Sequence, residues 1–222
     1  PMAYQFAEPL LPEDAQIGFD IQIPEGWNQY DLSSDGIAGL RTALLEAAAS
    51  DPRQAETVDE LFQNVAQIAH HARTSGLLSA AGTFERYEDG FFMATVCVLA
   101  FKEPPGQELD PIKLLDHVHP PSATKAEGTW LRKSLVELPE SGADLCARMF
   151  GVADYKLDEE ANQGIRSVLM HTAFRVPGLK TRVLVSCSSP NVEYQSEILE
   201  LFDAITATSW FWKRYPSTES PG

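Results

Sequence analysis

The clearest alternation of apolar and polar residues lies in the last quarter of the chain, from Ile165 to Trp212. Two alternating runs flank Val176-Pro177-Gly178-Leu179, and a Pro-Gly pair is a strong turn signal. The apolar residues are Val168, Met170, Phe174 and Val176 in the first run, and Val183, Val185 and Cys187 in the second. The first set is even-numbered and the second odd, as pairing Val176 with Leu179 requires. The pattern therefore predicts a β-hairpin with one apolar face.

An amphipathic helix is predicted directly after this hairpin. Ser189-Pro190-Asn191 suits a helix start, with Ser189 or Asn191 as the capping residue. The apolar stripe that follows has helical spacing and consists of Ile198, Leu201, Phe202 and Ile205. Acidic residues line the opposite side, so we expect the helix to pack its apolar stripe on a sheet.

Further strands are predicted upstream from alternating or continuous apolar runs bounded by turn residues. They span Ile17 to Ile23, Leu77 to Tyr87, Phe91 to Phe101, Trp130 to Leu138 and Ala143 to Val152. The run from Phe91 is apolar on both alternating faces, which predicts a central strand. Turns are expected at Pro24-Glu25-Gly26-Trp27, at Glu88-Asp89-Gly90 and at Pro139-Glu140-Ser141-Gly142.

Residues 33–76 have the pattern of a helical hairpin. Ser33-Ser34-Asp35 can cap a first helix that Asp51-Pro52 ends, and Thr57 with Glu60 forms a capping box for a second. A Pro-rich connection from Glu103 to Gly128 follows the next two strands, with a short helix at residues 112–118.

The order of elements predicts an α+β fold. We expect an antiparallel β-sheet of about seven strands with an N-terminal helical hairpin and a C-terminal helix packed on it. Residues 1–16 are predicted to be an extended lead-in, residues 17–212 a single domain with a possible subdomain seam at 103–128, and residues 213–222 a disordered tail.

Charge excludes two classes of partner. The chain carries 17 Lys and Arg against 32 Asp and Glu, a net charge of −15, which repels nucleic acid and anionic lipid. The sequence shows no apolar run long enough to span a bilayer and no signal-peptide pattern, so we expect a cytoplasmic protein. Cys97, Cys146 and Cys187 are widely spaced and odd in number, which favours reduced, buried thiols.

Two constellations could carry chemistry. His117 and His119 in Asp116-His117-Val118-His119 could chelate zinc or nickel if that segment were extended, but no third ligand accompanies them, so we predict no metal or cofactor. His171 and Cys187 could form a nucleophilic dyad. The predicted register places His171 on the polar face of its strand and Cys187 on the apolar face of the next, which argues against the dyad.

An aromatic cluster at the C-terminus is the best candidate for partner binding. It comprises Trp210, Phe211, Trp212 and Tyr215 and lies beside Lys213-Arg214. Aromatic side chains beside basic groups are enriched at interfaces. The alternative, which we favour for Trp210, is that the ring packs the end of the helix against the sheet.

Several short motifs resemble a group of uncharacterised actinobacterial proteins. They are Ile23-Pro24-Glu25-Gly26-Trp27, Leu138-Pro139 with Ser141-Gly142, Val176-Pro177-Gly178, Ser189-Pro190-Asn191 and Leu201-Phe202-Asp203-Ala204-Ile205 with Trp210. The resemblance implies no catalytic residues. More remotely, the first strand and last helix look like the Mog1/PsbP-like fold, whose members mostly bind partners.

The favoured hypothesis is a non-enzymatic protein-binding module, such as an adaptor, a chaperone or an immunity-like factor of a secretion or toxin system. The main alternative is an enzyme or small-ligand-binding protein, with a pocket between the helical hairpin and the sheet near residues 103–128. A third hypothesis is a homodimer formed through a sheet edge. These patterns do not identify the partner.

Overall fold

The computed structural model describes residues 2–5, 8–9, 17–30, 38–39, 41–42, 45–46, 76–88, 90–103, 106–108, 110–118, 124–156 and 164–213. The strands are β1 (Met2–Gln5), β2 (Glu8–Pro9), β3 (Ile17–Asp20), β4 (Gln22–Pro24), β5 (Asn28–Tyr30), β6 (Leu77–Tyr87), β7 (Gly90–Lys102), β8 (Trp130–Val136), β9 (Leu145–Lys156), β10 (Gly164–Arg175), β11 (Thr181–Ser189) and β12 (Trp210–Lys213). The helices are α1 (Pro111–Val118) and α2 (Gln195–Ala207), with single 3₁₀ turns at Pro139–Ser141 and Val192–Tyr194.

Seven strands form one antiparallel sheet in the order β5-β6-β7-β11-β10-β9-β8. This confirms the predicted α+β class and the antiparallel sheet. β7 lies between β6 and β11, as its apolar character on both faces predicted. Six of these strands, β6 to β11, were predicted from the sequence. The other, β5, was not, because three residues are too few to show an alternating pattern.

The closing hairpin has the predicted parity but a different register. Met170 lies opposite Cys187 and Phe174 opposite Val183, so the ladder is shifted by two residues from one that pairs Val176 with Leu179. These two residues instead close a β-turn, in which the Leu179 amide donates to the Val176 carbonyl oxygen at 3.1 Å. Gly178 has φ +80°, which fits the third position of a type II turn. A shift of two preserves which side chains share a face.

Each face of the sheet carries its own core. On one face, Ile198, Phe202 and Ile205 of α2 are buried in a cluster that includes Phe174, so the predicted packing of the C-terminal helix is confirmed. On the other face, α1 buries Leu114 and Leu115 in a second cluster. The strand residues of that cluster are Ala147, Met149, Ala173 and Leu184.

The second core corrects one prediction about β10. Its odd-numbered face was predicted to be polar, yet His171 on that face is buried. The reason is that the connection at 103–128 contributes α1, which covers β9 and β10. Alternation along a strand cannot reveal which distant segment will cover the second face.

The N-terminal strands lie outside the seven-stranded sheet. The predicted strand from Ile17 to Ile23 is divided at Ile21 into β3 and β4. β1 pairs with β4, and β3 lies between β2 and β12, so parts of the predicted lead-in form paired strands. β12 continues to Lys213, which the sequence assigned to a disordered tail.

The predicted helical hairpin falls almost entirely on residues that the structure does not describe. Residues 38–39, 41–42 and 45–46 are helical, and they lie within the first predicted helix. The second predicted helix, including Thr57 and Glu60, lies outside the described residues.

Candidate docking surface

The hairpin of β6 and β7 extends beyond its neighbours in the sheet. β5 pairs with β6 only as far as Gly82, and β11 pairs with β7 from Lys102 only as far as Thr95. Residues 84–87 and 90–93 therefore form a two-stranded extension, which we call the β6–β7 arm. Its pairs run from Phe84 opposite Met93 to Tyr87 opposite Gly90.

Large apolar side chains are exposed on this arm. Phe84 is 62% exposed and Phe91 48% exposed, and Met93 is also exposed. The rings of Phe84 and Phe91 stack with their centroids 5.6 Å apart. These three residues share one face by strand alternation and pairing, and we call them the apolar face of the arm. A cluster of exposed apolar side chains on one element is typical of an interaction site.

A buried polar clamp holds the arm against the rest of the protein. The Asn191 side-chain amide donates to the Phe91 carbonyl oxygen at 2.7 Å, and its Oδ1 accepts from the Met93 amide at 2.9 Å. The Ser189 hydroxyl donates to the Met93 carbonyl oxygen at 2.6 Å. Both Asn191 and Ser189 are buried. The clamp orders a ribbon that would be marginally stable alone, so the exposed rings are held in a defined geometry.

This clamp corrects the predicted capping role of Ser189 and Asn191. The 3₁₀ turn Val192–Tyr194 has no side-chain capping hydrogen bond, and helix α2 has none either. The side chains are instead committed to β7, almost 100 residues earlier in the chain. A local motif could not distinguish capping from this long-range contact, because the same donors and acceptors serve either purpose.

Asn191→Ala is expected to destabilise the arm. The substitution leaves the Phe91 carbonyl and the Met93 amide without these partners, which should cost about 1–3 kcal/mol of unfolding free energy. Hydrogen exchange at the Met93 amide should accelerate, while exchange in β10 should change less. Asn28→Ala, at an exposed position of β5, is the matched control. Unaltered exchange at Met93 in the Asn191 variant would show that the clamp does not order the arm.

The C-terminal aromatic cluster is only partly available to a partner. Phe211 is 6% exposed and packs against Phe19 and Phe174, with ring centroids 4.8 and 5.4 Å away. It is therefore a core residue, and its assignment to a partner site is corrected. Trp210 is 51% exposed, so our favoured prediction that its ring packs the end of the helix against the sheet is wrong. Trp212 is half-buried.

The physical reason is that this segment is a strand and not a fraying helix end. β12 pairs with β3, so alternate side chains point to opposite faces. Trp212 fits over Gly18, where an added Cβ would lie 2.3 Å from the indole ring. Tyr215 lies outside the described residues.

The histidine motif is not an extended chelating segment. His117 is exposed in the last turn of α1, and His119 lies outside the described residues. The carboxylate of neighbouring Asp116 accepts from Lys133. Among the residues that the structure describes, no group of three or more His, Cys, Asp and Glu side chains is placed to hold a metal ion.

His171 and Cys187 lie on opposite faces of the sheet, as the parity of the hairpin predicts. His171 is opposite Ser186 and Cys187 is opposite Met170. Burial raises the pKa of the Cys187 thiol to about 12, so the thiolate that a nucleophile requires is scarce at neutral pH. All three cysteines are free. The dyad is therefore not formed.

The predicted ligand pocket beside the helical hairpin lies largely outside the described residues. The described part of the adjoining connection is α1, whose Leu114 and Leu115 are packed against the sheet. Arg182, also buried, forms an ion pair with Glu103 near the start of this connection. These contacts are those of a filled core.

The arm was missed by sequence reasoning, although its strands were predicted. A usable signal was present, since Phe84, Phe91 and Met93 all lie close to the Asp89-Gly90 turn. What the sequence could not show is that the neighbouring strands end earlier and leave these side chains uncovered.

Comparisons with known proteins show no family. No family model matches the chain, and no curated protein matches it. Within the described part, no helix has the length and apolar character needed to cross a membrane. Among solved structures, the chain is similar to LpqN, which is involved in cell envelope biogenesis of Mycobacterium tuberculosis, with 10% sequence identity and a TM-score of 0.46. The likeness covers 95% of this chain and 92% of LpqN.

Proposed function

We propose that this protein is a protein-binding module that docks its partner on the apolar face of the β6–β7 arm. The observation that carries the proposal is the exposed Phe84–Phe91 stack on a ribbon clamped by Asn191. Aromatic side chains that are already ordered lose little conformational entropy on binding, so they favour affinity. Such rings also account for many interface hot spots.

Charge indicates the chemistry of the partner. Arg86 shares the apolar face of the arm, opposite Phe91, whereas Glu85 lies on the other face. The chain as a whole has a net charge of −15. Complementary potentials accelerate association and select partners. The partner we propose is a protein surface with an apolar centre bordered by Lys and Arg, in keeping with an adaptor, chaperone or immunity-like role.

Two further features belong to this proposal. Trp210 and Trp212, with Tyr215, provide a second contact region, because Trp210 is exposed on β12, which ends the described three-stranded sheet. The helical hairpin predicted for residues 33–76 would join β5 to β6, and backbone chemical shifts for residues 57–72 would test it.

The decisive experiment compares capture by three variants. The purified chain is used to capture a partner from its own cell extract, and affinity for the recovered partner is then measured. Phe84→Ala/Met93→Ala should weaken binding by about thirtyfold to a thousandfold, since each of the two truncated hot-spot side chains costs about 1–2 kcal/mol.

Leu135→Ala is the control, because it truncates an apolar side chain that is 60% exposed on β8, at the far edge of the seven-stranded sheet. Trp210→Ala tests the second contact region. Undiminished capture by the folded arm variant would reject the arm as the docking surface. A loss confined to Trp210→Ala would move the site to the C-terminal edge. Light scattering on the purified chain distinguishes a homodimer, the third hypothesis, from binding to another protein.

A further inference from the structure

A surface groove lies beside the arm, on the side facing the 3₁₀ turn Val192–Tyr194. Its volume is about 390 Å³, and it is lined by Tyr87, Gly90, Phe91, Phe92, Glu193 and Tyr194. We propose that this groove receives an arginine side chain of the docked partner. The inference rests on the proposed function and specifies the chemistry by which the same arm recognises its partner.

The lining combines aromatic rings with a carboxylate. Tyr87, Phe92 and Tyr194 supply π systems, whose faces attract cations, while Glu193 supplies an anionic acceptor. Tyr87 and Tyr194 are exposed at the surface, so their rings are accessible. This combination suits a cationic group that carries hydrogen-bond donors.

Glu193 is tied to the clamp that orders the arm. The Asn191 side-chain amide lies 3.4 Å from the Glu193 carboxylate and 2.7 Å from the Phe91 carbonyl oxygen. Asn191 is only 5% exposed. One buried amide thus positions both the acidic wall and the aromatic wall of the groove, which makes it a preformed site.

The groove has a second carboxylate at its border, and the described residues of the arm place no competing cation there. Glu85 lies opposite Phe92 in the β6–β7 ladder. The Tyr87 hydroxyl donates a hydrogen bond to the Glu85 carboxylate. This hydrogen bond raises the pKa of Tyr87, so the phenol stays neutral at physiological pH. Arg86 lies on the opposite face of the arm, because neighbouring residues of a strand alternate.

Arginine fits this lining better than lysine. Guanidinium is planar, so it can stack on an aromatic face while its N–H groups donate to a carboxylate in a bidentate manner. Lysine offers a compact, strongly hydrated charge that cannot stack in this way.

The test uses amide NMR spectra of the full chain titrated with N-acetyl-arginine amide. The amide signals of Gly90 and Tyr194 should shift with saturation in the millimolar range, as expected for one side chain. The neutral isostere N-acetyl-citrulline amide should bind at least fivefold more weakly, and N-acetyl-lysine amide should also bind more weakly. Equal shifts with citrulline would overturn the inference.

Matched carboxylate variants locate the interaction. Glu193→Gln should weaken arginine binding several-fold, whereas Glu197→Gln, at an exposed position of α2 that does not line the groove, should leave it unchanged. Equal weakening by both variants would indicate general charge attraction and overturn the proposed site.

The outcome is separable from that of the proposed function. Phe84 and Met93 do not line the groove, so Phe84→Ala/Met93→Ala should retain the arginine response. If that variant still binds arginine and captures its partner undiminished, the apolar face of the arm is rejected as the docking surface and the groove is not. If the variant loses partner capture but the unmodified chain shows no arginine-selective response, the groove is rejected and the apolar face of the arm is not.

Discussion

Gly151→Ala is expected to lower the free energy of unfolding by more than about 4 kcal/mol, a size reserved for substitutions that disrupt the native backbone. Gly151 has φ +147°, and an added Cβ would lie 2.1 Å from the Trp130 carbonyl oxygen. Gly151 and Leu131 are partners in the β8–β9 ladder. The carbonyl therefore cannot move aside without disturbing the pairing of the two strands.

Gly178→Ala is the matched control for this effect. Gly178 also has a positive φ of +80°, but no heavy atom of the described residues lies within 4 Å of the point that an added Cβ would occupy in the turn between β10 and β11. Its substitution should cost only the conformational penalty of about 1–2 kcal/mol. Urea denaturation of both variants gives the comparison. Equal losses would show that backbone conformation, and not the contact with Trp130, makes Gly151 necessary.

Phe202→Ala is expected to cost about 3–5 kcal/mol, the range for truncating a fully buried phenylalanine. Phe202 is 0% exposed and belongs to the core between α2 and the sheet. The substitution removes the largest side chain of the α2 stripe and leaves a cavity that neighbouring Ile198 and Ile205 can fill only in part. Thermal or urea unfolding measures the loss.

Phe84→Ala provides the same chemical change at an exposed position. Phe84 loses mainly its stacking contact with Phe91, so the cost should stay below about 1 kcal/mol. If Phe84→Ala were as destabilising as Phe202→Ala, the ring would be part of the core and not of a docking surface. The same unfolding measurement on Phe84→Ala/Met93→Ala establishes that the variant used for partner capture is folded.

Much of the fold could be predicted from local pattern. Alternation identified the long strands, and the Asp89-Gly90 and Pro177-Gly178 turns identified two hairpins. The parity of the closing hairpin was also accessible, because the apolar residues of both strands must share the face that packs against the core. Its register was not, since Val176 and Leu179 fit equally well as a ladder pair or as the ends of a turn.

The candidate site was much less predictable. Trp210, Phe211 and Trp212 formed a plausible patch in sequence, but β12 directs Phe211 into the core because it pairs with β3. The arm lacked any motif, since its accessibility depends on where β5 and β11 end. Pairing partners far apart in the chain decide both outcomes.

The buried side chain of Arg148 is a further feature that the sequence could not predict. Arg148 interrupts the apolar sequence of β9, yet it is buried, donates to Thr172 at 3.1 Å and pairs with Asp203 of α2. A strand residue that is charged is ordinarily assigned to the solvent face. Only the packing of α2 shows that Asp203 is available to compensate it.

Residue periodicity, turn chemistry and charge were sufficient for the α+β class, the antiparallel hairpins and the packing of the last helix, because these depend on neighbours within a few residues. Strand order, the second core under α1, the Asn191 clamp and the exposed arm depend on contacts between segments distant in the chain. Those contacts decide which apolar side chains are covered. In this protein they leave Phe84 and Phe91 uncovered, and the proposed docking function rests on these two rings.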